Sequence, residues 1–189
     1  MSTKDSNSLY GQVILFGDLL THISSNQDES RRLDIINRGF SYRLAYKSQT
    51  RGSLGQAVFF GCNDAYLPGN YQHAPLDVYR DNLEQIIQHP AIKAQSPRVM
   101  VITPPPVNEY QLEAFDASKG VPHPSRAKEQ TKRYADAAGK AAISLEVPVA
   151  DLWIAFTGAA GRRLHLTASG YRIMYCVAMK TFSSQVSRV

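Results

Sequence analysis

Short apolar runs, each closed by Gly, Pro, Asn or Asp, alternate along this chain with longer stretches of mixed polarity. Runs of this length with turn residues at their ends predict buried strands rather than helices. The first is Gln12 to Phe16, which runs into Gly17-Asp18. Leu33, Ile35 and Ile36 form a second, opening into Asn37-Arg38-Gly39-Phe40. Ala57-Val58-Phe59-Phe60-Gly61 is the third, and Val99 to Ile102 the fourth, broken by Pro104-Pro105-Pro106. Val147 to Leu152 reads as a fifth.

Helical spacing appears between them. Tyr79, Leu83, Ile86 and Ile87 fall on one face of a helix over Leu76 to Gln88, stopped before Pro90. Ser125 is placed to cap a helix running to about Ile143. Thr167 is placed to cap another, with Met174, Val177, Ala178, Thr181 and Phe182 on one face. Thr21 to Arg32 offers at most a brief helix. Ser41 to Gly55 is expected to be a poorly formed helix or a loop, and Val107 to Val121 an irregular loop with some helical tendency. Strands alternating with helices imply a mostly parallel sheet with helices on both faces.

Composition adds bounds. The 189 residues fit one domain, taken here as 11–189 behind a loose tail at 1–10. Apolar content of 43% and charged content of 20% are those of a globular protein. The net charge of +5 is spread over scattered Lys and Arg without interleaved aromatics, which argues against a nucleic-acid partner. No run approaches the ~18 apolar residues of a membrane span. Met1 to Leu9 is polar, so a cytoplasmic protein is expected. Cys62 and Cys176 have no metal or redox spacing, and Cys62 reads as a core residue. His22, His73, His89 and His123 share no spacing that suggests a metal site.

Four segments in chain order carry the chemistry: Gly17-Asp18-Leu19, Asn37-Arg38-Gly39-Phe40-Ser41, Phe59-Phe60-Gly61-Cys62-Asn63-Asp64-Ala65, and Leu164-His165-Leu166-Thr167-Ala168-Ser169-Gly170-Tyr171. They resemble the four blocks of the SGNH (GDSL-type) hydrolases. With Val149-Ala150-Asp151-Leu152-Trp153, their wording is most similar to the isoamyl acetate-hydrolysing esterase branch. The resemblance implies a three-layer α/β/α, flavodoxin-like domain of about five parallel strands. It also implies hydrolysis of short-chain carboxylic esters with neither metal nor organic cofactor.

In that family a serine attacks the ester carbonyl and a histidine shuttles its proton, held by an aspartate three residues earlier. Oxyanion donors come from the serine backbone, a glycine backbone and an asparagine side chain. By resemblance these roles fall on His165 for the histidine and on Gly39 and Asn63 for the oxyanion hole. The nucleophile position holds Leu19, and the aspartate position holds Arg162. Leucine has no nucleophilic atom and crowds the place of the acyl carbon. A cation at Arg162 disfavours imidazolium at His165.

Each residue also has a plainer reading. Asp18 fits a helix cap, Gly39 a positive φ, and Asn63-Asp64 an ordinary turn. Measured against the family pattern, the chain looks trimmed between His22 and Leu33, between Tyr42 and Ala57, and between Phe156 and Leu164. The expectation is therefore a catalytically degenerate esterase-family protein. If chemistry survives, Asp18 or a water serves in place of the serine, with His165 as base. The alternative is a non-catalytic binding protein or partner subunit using the same pocket. The partner class is a small-molecule ester or related acyl compound, and a homo-oligomer is compatible with the chain.

Overall fold

The computed structural model describes residues 11–17, 33–37, 53–93, 98–120, 124–158 and 168–186. Within them five strands form one sheet: β1 (Gly11–Gly17), β2 (Leu33–Asn37), β3 (Ser53–Phe59), β4 (Arg98–Ile102) and β5 (Val149–Ala150). Every pairing is parallel, in the order β2-β1-β3-β4-β5. The helices are α1 (Leu76–Gln88), α2 (Pro90–Lys93), α3 (Glu109–Ser118), α4 (Lys128–Ser144), α5 (Leu152–Gly158) and α6 (Ala168–Val186).

The two-residue period of the strands sorts their side chains into two cores. Ala57, Phe59, Met100 and Ile102 face Leu152 and Phe156 of α5 and Met174 of α6. Val58 and Val101 face the other way, onto Tyr79, Leu83 and Ile87 of α1 and the alanine face of α4, Ala137, Ala138, Ala141 and Ala142. This is the expected three-layer α/β/α arrangement. Leu83 is 2% exposed, and burying such a side chain contributes about 1.5–3 kcal/mol.

Several local expectations are corrected. β3 begins at Ser53, so the end of the stretch read as loop, through Gly55, is strand; β1–β3 register shifts between Gln12 and Val13 there. Its polar, glycine-containing start hid it. At its other end β3 stops at Phe59, and Gly61, with φ of 110°, lies beyond it. The loop at Val107 to Val121 contains α3, capped by Asn108, whose Oδ1 accepts from Gln111 N at 3.3 Å.

Ser125 does not cap the next helix. α4 starts at Lys128, whose N–H donates to Glu109 Oε1 at 2.8 Å, so one N–H of its first turn is satisfied from α3. The fifth strand is only Val149–Ala150, because Asp151 begins a helix that was not expected: its Oδ1 accepts from Ile154 N at 3.0 Å. Thr167, the tail at 1–10 and most of the three stretches that look trimmed against the family pattern (23–32, 43–52 and 159–163) lie outside the described residues.

Candidate active site

All five strands point the same way, so their carboxyl ends share one edge. From β1 the chain goes to β2 on one side and then to β3 on the other, which makes the β1–β3 edge the topological switch point. Gly17 pairs with Phe59 in register, and Asn37 with Leu15. The segment carrying Asp18 and Leu19 and the loop carrying Asn63 therefore leave neighbouring strand ends.

Of the residues assigned to the site, Asn63 is described. Asp18, Leu19, Gly39, Arg162 and His165 lie outside the described residues. The loop after β3 is built around Gly61. A Cβ there would sit 2.7 Å from Pro104 Cγ and 2.7 Å from Tyr79 Oη, and the positive φ is one that L side chains avoid. Gly61 N donates to Asp64 Oδ2 at 3.0 Å, while Gly61 O accepts from Ala65 N at 3.1 Å. Asn63 O accepts from Tyr66 N at 3.1 Å. Beneath the loop, Tyr79 Oη donates to Phe60 O at 3.0 Å.

Tyr134 stacks at a tilt on Tyr79, with ring centroids 5.1 Å apart, and donates its hydroxyl hydrogen to Ala74 O. Burial, seconded by the charge of Asp64, pushes the Tyr134 phenol above its ordinary value. Asp64 thus does two things: it closes the Gly61 turn and adds negative charge near Tyr134. Cys62 is half-buried against the Phe59–Met100 core, in keeping with its reading as a packing residue. His73 Nδ1 lies 2.7 Å from Tyr66 O; a carbonyl only accepts, so this nitrogen carries the hydrogen.

One residue at this edge was missed from sequence. Arg126 Nη2 donates to Asn63 Oδ1 at 3.0 Å, and its guanidinium lies 4.0 Å from the centre of the Tyr66 ring. No local signal marks it, since its partner is 63 positions away. No helix among the described residues is long and apolar enough to cross a membrane.

A parallel sheet in the order β2-β1-β3-β4-β5 is the flavodoxin-like doubly wound arrangement, whose ligands bind at the switch point. The chain belongs to the GDSL-like lipase/acylhydrolase (SGNH) family, whose model matches residues 28–173. It is 29% identical to the mouse isoamyl acetate-hydrolyzing esterase 1 homolog, over 98% of this chain and 87% of that protein. It is 30% identical to the rat homolog, over 81% of this chain and 71% of that protein. Among solved structures, a lipase/acylhydrolase from Enterococcus faecalis superimposes with a TM-score of 0.70, covering 93% of this chain and 97% of that one at 22% identity. The acetylxylan esterase Axe2 from Geobacillus stearothermophilus gives 0.62, over 93% and 96%, at 13% identity. These two likenesses concern the fold. The mouse alignment extends over 217 positions, more than the 189 residues of this chain, so it contains gaps opposite segments of the relative.

Proposed function

We propose that this chain keeps the acyl-binding floor of a short-chain carboxylic esterase and has lost the family's covalent route. The reading rests on Leu19, which by resemblance to the family's first block stands where the serine would be. In another serine hydrolase, loss of the nucleophile costs on the order of a millionfold in kcat, the remainder coming from the oxyanion hole and binding. Arg162 at the aspartate position adds to the loss, because a neighbouring cation opposes protonation of His165.

Substrate class follows from the relatives, which are named for isoamyl acetate hydrolysis. The oxyanion pair is Gly39 and Asn63, with His165 as the only base inherited from the family blocks and Asp18 as the group adjacent to the missing serine. A reduced, cytoplasmic setting is part of the reading, resting on two cysteines whose spacing in the sequence suggests no disulfide framework. The second reading, a ligand-binding protein or partner subunit, draws on the same substitution: leucine gives a pocket an apolar floor.

The test is covalent labelling with a fluorophosphonate, which transfers its phosphonyl group to an activated serine oxygen with loss of fluoride. Intact-mass measurement should find the natural chain unlabelled and Leu19→Ser labelled once. A label on the natural chain that disappears in His165→Ala overturns the reading.

A further inference from the structure

Arg126 is held in place more firmly than a surface arginine needs to be. Ser125 N donates to Asp116 Oδ2 at 2.6 Å, and Asp116 is 5% exposed. Leu67 N donates to Ser125 O at 2.9 Å, and Tyr66 and Arg126 form an antiparallel bridge. Lys128 N is fixed on Glu109. The backbone on both sides of Arg126 is thus pinned, and its half-buried guanidinium lies on the face of Tyr66.

That cation has no carboxylate partner among the described residues, where the ion pairs are Arg80–Asp81 and Lys132–Asp136. Its Nε is buried without a hydrogen-bond partner there. A cation set only for stability would be expected to pair with an anion when partly buried. Instead its Nη2 is spent on an amide.

We propose that Arg126 is a positioning residue that fixes the amide of Asn63, so that Oδ1 faces the guanidinium and Nδ2 is presented as the donor end. The assignment follows from chemistry: a guanidinium can only donate, so the amide must turn its oxygen to it. An amide whose oxygen accepts from a cation is also polarised, which strengthens its N–H groups as donors. The inference rests on the reading of Asn63 as an oxyanion donor. It adds a cause for that donor's direction, independent of whether a nucleophile is present at residue 19.

The test uses the full natural chain with 15N-labelled asparagine, the Asn63 side-chain signals being assigned through Asn63→Ala. Acetate serves as the probe, its carboxylate standing in for an oxyanion. The natural chain should give one ordered pair of Nδ2 proton signals that acetate shifts saturably. Arg126→Ala should move this pair toward that of a free amide, speed its exchange with water and weaken acetate by about fivefold or more. Added ethylguanidinium should restore both, which a merely structural role would not allow. Arg126→Met keeps the stem on Tyr66 and replaces the alanine variant if that one fails to melt cooperatively. An Asn63 pair unchanged in position and exchange in the substituted protein overturns the proposal. Acetate that leaves the natural chain's Asn63 untouched overturns the oxyanion reading, while the response of the same signals to Arg126 substitution still decides the positioning role.

Discussion

Thr103 and Asp151 join the carboxyl ends of β4 and β5 through a hydrogen bond of 3.1 Å from Thr103 Oγ1 to Asp151 Oδ1. The same hydroxyl accepts from Leu152 N at 2.9 Å and from Trp153 N at 3.3 Å. One side chain therefore satisfies the opening N–H groups of α5 and orients its capping carboxylate. Thr103 is 1% exposed, so no water replaces it readily.

Thr103→Val keeps the shape and removes the hydroxyl, leaving the buried Leu152 N–H unpaired. The expected cost is about 1–3 kcal/mol in urea denaturation, with Thr103→Ser recovering most of it. Equal stability of the valine variant would show that the hydroxyl is not what starts α5.

Gly61→Ala forces a Cβ against Pro104 and Tyr79 at a φ of 110°. Backbone strain and overpacking together predict a loss of about 2–4 kcal/mol, again by urea denaturation. The Tyr79 hydroxyl should also lose its bond to Phe60 O, since its oxygen is one of the atoms displaced.

Glu146 follows α4 with φ of 56°, in a Schellman arrangement: Val147 N donates to Ala142 O at 2.8 Å and Glu146 N to Ile143 O at 3.1 Å. Only glycine adopts that conformation without strain. Glu146→Gly should stabilise the protein by about 1 kcal/mol, read as a raised melting temperature. A lowered one would mean that the side chain earns its place by contacts other than the cap.

Tyr134 carries a pH prediction. Burial raises its folded-state value, so the native protein holds the phenol proton more tightly than the unfolded chain does. The resulting stability is fully present below the unfolded value of about 10 and is lost as pH climbs through the higher folded value. Tyr134→Phe should lower stability at neutral pH by about 1 kcal/mol, through the lost bond to Ala74 O. It should also flatten the alkaline fall, measured as denaturation midpoints across pH 9 to about 11. An unchanged alkaline slope would assign that fall to other groups.

The parts of the fold that were legible are those whose signal is local. Leu76–Gln88 could be bounded from Tyr79, Leu83, Ile87 and Pro90 because an amphipathic face and a stop lie within one stretch. The start of β3 was not legible, because Ser53, Gly55 and Gln56 are strand residues by virtue of their pairing with β1 and β4 rather than by propensity. α5 and the early end of β5 were missed for a similar reason: Thr103, half a hundred positions away, supplies the acceptor that starts the helix. At the candidate site, Asn63 can be named from its block alone, whereas Arg126 is joined to it only by tertiary packing.

The measurement that bears most directly on the central claim is hydrolysis of a short-chain chromogenic acetate ester by the purified natural chain, Leu19→Ser, Leu19→Ser/Arg162→Asp and His165→Ala. The account predicts no turnover above background in the natural chain and a small gain in Leu19→Ser. A further increase of at least about tenfold should follow when the aspartate is restored, since a missing triad aspartate costs on the order of ten-thousandfold elsewhere. Turnover by the natural chain that matches Leu19→Ser and vanishes in His165→Ala would contradict it, and would mean that Asp18 or a water does the work of the absent serine.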